Sequence, residues 1–138
     1  MTDLSAPPPV GEVTYEISTD PQVAIIRLGA PGERAVSLTA TRLGSFERAI
    51  ERAEFEKKTG VVITGTGPDM FCVGADVSVI QSVEDPAYGA SLAIEGQRIY
   101  DRLDRSPLRT VAAISGPCVG GGCELVLACD FRLMSERQ

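Results

Sequence analysis

The chemistry in this chain is concentrated in the stretch Ser115-Gly116-Pro117-Cys118-Val119-Gly120-Gly121-Gly122-Cys123-Glu124. Three consecutive glycines separate one apolar run, Val111 to Ile114, from another, Leu125 to Ala128. Glycine has no Cβ, so the backbone can take positive φ there and a ligand can approach its amides closely. If the following residues are helical, the first-turn N–H groups have no intrahelical partners and attract negative charge. Glu124 places a carboxylate in that same turn. Bare amides beside one acid are equipment for stabilising an oxyanion while a proton moves. A tight strand-to-helix turn with a capping glutamate accounts for the same residues equally well, because glycine-rich turns are common.

Composition narrows the remaining chemistry. A chain of 138 residues suits one domain, and 43% hydrophobic with 23% charged residues indicates a soluble globular protein. Thirteen Lys and Arg against nineteen Asp and Glu give a net charge of −6. No basic cluster occurs, so nucleic acid is not an expected partner. No apolar run approaches membrane-spanning length, and the N-terminus lacks the basic and apolar regions of a signal peptide. Neither a membrane partner nor secretion is therefore expected, which points to the cytoplasm.

Histidine is absent from the sequence. That removes Ser-His and Cys-His dyads and any histidine metal site within the chain. Cys72, Cys118, Cys123 and Cys129 contain no C-x-x-C pair, so neither a metal site nor a disulfide is expected. Cys123 and Cys129 read as small buried apolar residues. A nucleophilic Cys118 or Cys123 at a helix N-terminus is a lesser reading without a histidine base. Carboxylates and backbone amides remain.

The elements that must hold these groups follow from the pattern. Residues 1–12, with Pro7-Pro8-Pro9, read as a disordered or extended lead-in. Val13 to Ile17 and Val23 to Leu28 read as a hairpin turning at Asp20-Pro21. Leu43, Phe46, Ile50 and Ala53 share one face of a helix expected from Thr39 to Lys58, stopped by Gly60. Glu54 and Lys58 are expected to pair at i,i+4 on its wet side. Val61 to Thr64 and Thr110 to Ile114 are short apolar strands of the kind buried in a parallel sheet. Between them, Tyr88, Leu92, Ile99 and Leu103 form the stripe of a helix ending near Ser106-Pro107. A helix after the glycines and a strand at Phe131 to Met134 complete an α/β domain with a largely parallel sheet.

Two loops leave buried strands in the same sense, one to Cys72-Val73-Gly74-Ala75-Asp76 and one to Gly116–Gly122. In open α/β sheets ligands sit beyond the carboxyl ends of the strands, so both loops can reach one site. Each can contribute an amide, and two converging amides make an oxyanion hole. Nucleotide motifs are incomplete. Gly65-Thr66-Gly67 lacks the third glycine of G-x-G-x-x-G, and no G-K-[ST] occurs. Asp76 reads as the N-cap of a short helix.

The segments Phe71-Cys72-Val73-Gly74-Ala75-Asp76-Val77 and Gly116 to Asp130 together resemble the crotonase (enoyl-CoA hydratase/isomerase) superfamily. Arg34-Ala35-Val36-Ser37 resembles that family's loop at the CoA end of the site. Gly96-Gln97-Arg98 and Gly116-Pro117-Cys118 are similar to the hydratase domain of multifunctional fatty-acid oxidation α subunits. The resemblance implies the ClpP/crotonase fold, with residues 13–138 as its N-terminal portion. It implies that the amides of Ala75 and Gly121 hold a thioester oxygen and that Glu124 positions or deprotonates water. Ala35, Val36, Gly74, Asp76, Val77 and Gly120 then line the CoA thioester. The implied reaction is addition of water to a 2-enoyl-CoA, with isomerisation or thioester hydrolysis as alternatives, or a non-catalytic acyl-CoA-binding fragment. No metal or separate cofactor is implied, CoA arriving as part of the substrate. The family's second catalytic glutamate falls after Phe131–Met134, beyond Gln138, as do the helices that build its trimer or dimer of trimers.

Overall fold

A computed structural model describes residues 12–136. The expected lead-in lies outside the described residues except for Glu12, which is anchored rather than loose. Its carboxylate accepts from the Thr39 hydroxyl at 2.8 Å, and its carbonyl accepts from Arg42 Nε at 3.2 Å.

Five strands form one sheet in sequence order: β1 (Val13–Ile17), β2 (Val23–Leu28), β3 (Gly60–Thr64), β4 (Arg109–Ile114) and β5 (Phe131–Met134). β1 and β2 are the expected antiparallel hairpin, and the other pairs are parallel. The hairpin turn is set at Asp20, whose side chain accepts from the Gln22 amide while its carbonyl accepts from that of Val23. Strand residues two apart point to one face. Ala24, Ile26 and Leu28 of β2, Val61 and Ile63 of β3, and Thr110, Ala112 and Ile114 of β4 are all buried. Ile25, Val62 and Val111, on the opposite face, are only half-buried. The continuous burial expected for the central strands is therefore realised on one face.

Helix α1 (Ala40–Phe55) covers that face with Phe46, Ala49, Ile50 and Ala53. Each fully buried large side chain contributes roughly 1.5–3 kcal/mol. Thr39 caps it by accepting from the Arg42 amide at 3.0 Å. The expected end is corrected. The helix closes at Phe55, and Lys57 takes the left-handed conformation at φ 54°. Gly60 instead opens β3, where a Cβ would lie 2.8 Å from the Arg109 carbonyl oxygen. Because the helix stops short of Lys58, the Glu54–Lys58 pair does not form. Glu54 accepts from Arg102 and Ser106, and Lys58 reaches the Pro21 carbonyl and Glu56.

A short helix, α2 (Val77–Ser82), precedes α3 (Pro86–Asp104). Only the C-terminal half of α3 packs, through Ile99 and Leu103, while Tyr88 at the start of the expected stripe is 55% exposed. Helix α4 (Gly121–Leu127) leads into β5. Asp130 fastens that return: its carboxylate accepts from the Thr110 amide at 2.8 Å, and its own amide donates to the Thr110 hydroxyl at 2.9 Å. Along β5, Phe131, Leu133 and Met134 remain exposed. No helix among the described residues is long and apolar enough to cross a membrane.

Candidate functional site

Neighbouring parallel strands β3 and β4 release their loops at Thr64 and Ile114, on the same edge of the sheet. These loops and the one before α1 are laced into a second, short ladder. The Val73 amide donates to the Val36 carbonyl at 2.8 Å, and the Leu38 amide to that of Gly74 at 2.7 Å. On the other side, the Cys72 amide donates to the Pro117 carbonyl at 2.9 Å, and the Val119 amide to that of Cys72 at 3.2 Å. Ser37 with Gly74 and Cys72 with Cys118 are parallel bridges. The chain thus brings residues 36–38, 72–74 and 117–119 side by side from three well-separated stretches of sequence.

Two glycines with positive φ stand at the seam between these loops. Gly74 has φ +86°, and a Cβ there would lie 2.8 Å from the Gly121 nitrogen. Gly120 has φ +53° and ends the loop as the N-cap of α4, without a side-chain cap. Only residues without a Cβ occupy such geometry cheaply. Ala75, next after Gly74, consequently lies beside the first turn of α4. Among the described residues, neither the Ala75 nor the Gly121 amide donates a hydrogen bond. Glu124 stands in the same first turn, exposed, and its amide donates to the Gly120 carbonyl at 3.2 Å. Its carboxylate has no hydrogen-bond or ion-pair partner among the described residues, so it does not serve as the capping group. Two unengaged donors and one unengaged acid therefore share a small region of surface.

The remaining sequence-derived positions divide. Ala35 is exposed, and Val36 is completely buried, offering only its backbone to the ladder. Asp76 caps α2 as expected, accepting from the Ser78 amide at 2.9 Å and hydroxyl at 2.6 Å. The Ser78 hydroxyl, followed by its amide, holds the Asp76 carboxyl below its ordinary range. Val77 begins a helix with no buried residue and is 63% exposed.

The cysteines are free thiols. Cys129 is buried as expected, but Cys123, in the first turn of α4, is exposed. The Cys123 thiol donates to the Cys118 carbonyl at 2.9 Å. Burial, then the neighbouring Cys123 thiol, pushes the Cys118 thiol up to about 12, which leaves it protonated and a poor nucleophile near neutrality.

Two positioning groups escape the sequence pattern. Arg42, buried on α1, donates to the Glu33 carboxylate at 2.8 and 3.1 Å and to the Ser37 carbonyl, fixing the loop that carries Ala35 and Val36. Tyr100 of α3 donates to the Gly121 carbonyl at 3.0 Å. An arginine counts as polar in a helical pattern, and its partners lie in a loop that periodicity does not place. Tyr100 had one available signal: it follows buried Ile99, and a half-buried tyrosine requires a partner for its hydroxyl.

The enoyl-CoA hydratase/isomerase family profile matches residues 18–138. The chain belongs to the enoyl-CoA hydratase/isomerase family. It is 36% identical over 119 residues to the fatty acid oxidation complex subunit alpha of Aliivibrio fischeri, covering 85% of this chain and 17% of that protein. Among solved structures, the enoyl-CoA hydratase of Thermoplasma volcanium is 29% identical with a TM-score of 0.80. Human mitochondrial delta3-delta2-enoyl-CoA isomerase is 31% identical with a TM-score of 0.78. Each match covers 88% of this chain, and 47% and 46% of those chains respectively. The expected crotonase fold is thereby established. The chain spans about half the length of these solved relatives and under a fifth of the curated one.

Proposed function

We propose that this chain carries the thioester-binding half of an enoyl-CoA hydratase site. The observation that supports this reading best is the meeting of two loops that leaves the Ala75 and Gly121 amides unengaged, with Glu124 in the same turn. A 2-enoyl thioester whose carbonyl oxygen accepts from both amides becomes enolate-like as water attacks the β-carbon. Each donor aimed at that oxygen contributes on the order of 3 kcal/mol to the transition state. Glu124 takes the proton from the attacking water. Ala35, Asp76, Val77 and the backbone of Val36, Gly74 and Gly120 run past the CoA portion.

Glu124→Gln keeps the side-chain shape and removes the base. The expected result is a fall in kcat of two or more orders of magnitude, as for loss of a general base, with little change in CoA-ester affinity. An unchanged kcat removes Glu124 from the mechanism.

Exposed apolar side chains on both faces of β5, with Met134 72% and Leu133 65% accessible, favour a second reading as an acyl-CoA-binding or assembly unit without turnover. Hydration of crotonyl-CoA by the protein excludes it, and product analysis in the same assay separates hydration from isomerisation and thioester hydrolysis.

A further inference from the structure

We propose that Tyr100 is a positioning residue that orients the Gly121 turn toward the thioester oxygen, an inference that rests on the acyl-CoA reading of this site. From within, the turn is held by backbone alone: the Gly122 amide donates to the Val119 carbonyl at 3.0 Å and the Glu124 amide to that of Gly120 at 3.2 Å. Gly120, Gly121 and Gly122 have no side chains to pack, and Gly120 provides no side-chain cap to α4. Glycine is the residue with the most backbone freedom to lose. Any side-chain support for its orientation must come from outside.

The ladder supplies one wall, since a Cβ on Gly122 would lie 2.6 Å from the Cys72 carbonyl oxygen. Tyr100 supplies the other. Its hydroxyl would stand 3.3 Å from a Cβ on Gly121, with Leu38 at 3.4 Å, and it donates to the Gly121 carbonyl at 3.0 Å. Among the described residues this is the one side-chain hydrogen bond made to residues 120–122.

Fixing that carbonyl limits rotation about Gly121, the residue whose amide is the expected donor. Tyr100 itself is fixed by its place on α3 next to Ile99, which is in the core. Burial, then the Cys72 thiol and the Glu124 carboxylate, pushes the Tyr100 phenol up, so it keeps its proton throughout the working range. A donor that never titrates suits a permanent brace. The same interaction places the phenol near the acid assigned to water.

The experiment compares the protein with Tyr100→Phe, using butanoyl-CoA isotope-labelled at its carbonyl as an unreactive probe. Infrared difference spectra give the carbonyl stretch of the bound thioester, and steady-state assays with crotonyl-CoA give kcat and KM. In the parent protein the bound carbonyl should shift to lower frequency than in water. Tyr100→Phe should lose part of that shift and about tenfold in kcat, the equivalent of one hydrogen bond, with KM within about twofold. A kcat and carbonyl frequency equal to the parent's overturn the positioning role. So does a fall in bound signal at unchanged frequency, since that reports only fewer folded molecules. A parent protein that binds the probe without shifting its carbonyl, or does not bind it, overturns the site reading and this inference together.

Discussion

Gly74 and Gly121 lie against each other across two loops, the first at φ +86° with space for a Cβ only 2.8 Å from the nitrogen of the second. The Val119 carbonyl oxygen stands 2.9 Å from the same point. Both neighbours are backbone, so a side chain at 74 cannot be accommodated by a rotamer change. Gly74→Ala should therefore separate the loops and destroy the site. The left-handed conformation alone costs roughly 1–2 kcal/mol for a residue with a Cβ, and the displacement adds to it. Thermal unfolding should show a lower midpoint, and calorimetric titration with butanoyl-CoA should show lost affinity. Gly67→Ala is the control, since nothing lies within 4 Å of its Cβ and its φ is not positive. A Gly74→Ala protein with parental affinity would mean that the two loops do not define the binding site.

Arg42 joins stability to the same site by a different route. Its side chain is 5% exposed and its Nη2 lies 2.8 Å from Glu33. Removing one member of such a buried pair leaves the other uncompensated, at a cost of roughly 3–5 kcal/mol. Arg42→Met should unfold at lower urea concentration by about that amount, reduced because Glu33 is partly exposed, and should weaken CoA-ester binding through the loosened 33–37 loop. Adding Glu33→Gln should recover part of the lost stability, because the stranded charge disappears. Equal stability of the single and double variants would show that the pair is not what holds the loop.

Much of the fold was legible because it depends on local pattern. The strand at Phe131–Met134, the hairpin and the α1 face are each written in a few adjacent residues. The misses share a cause in distance. Lys57, not Gly60, carries the left-handed turn, since Gly60 is needed where β3 passes close to Arg109. The stripe on α3 continues past the point where α1 and the sheet can cover it, so Tyr88 is exposed although its spacing matches. That the loops after β3 and β4 could meet beside Glu124 was readable from two motifs following parallel strands, whereas Ala75 and Gly121 were singled out only by the family resemblance. Arg42 and Tyr100 were not, because each acts on a loop whose position only the folded ladder determines.

The clamp between α1 and α3 makes stability depend on pH in a calculable direction. Arg98 donates to both Glu47 oxygens at 2.7 and 2.6 Å, and Arg102 donates to Glu54 at 3.0 Å. The hydrogen bond from Arg98 draws Glu47 below its ordinary 4.5, against the opposing effect of burial and with help from the Arg98 and Arg102 charges. For Glu54, burial is the largest influence and acts upward, but bonds from Arg102 and Ser106 and the Arg102 charge together outweigh it. Both carboxyls are thus stronger acids folded than unfolded, so protonation favours the unfolded chain. Their stabilisation is complete above pH 4.5 and is lost as pH falls through the lower folded values. Urea unfolding from pH 7 to pH 3 should show this decline. In the Glu47→Gln, Glu54→Gln double variant the protein should be less stable at pH 7, and the acid decline shallower. Parallel curves for the two proteins would assign the acid sensitivity to other carboxylates.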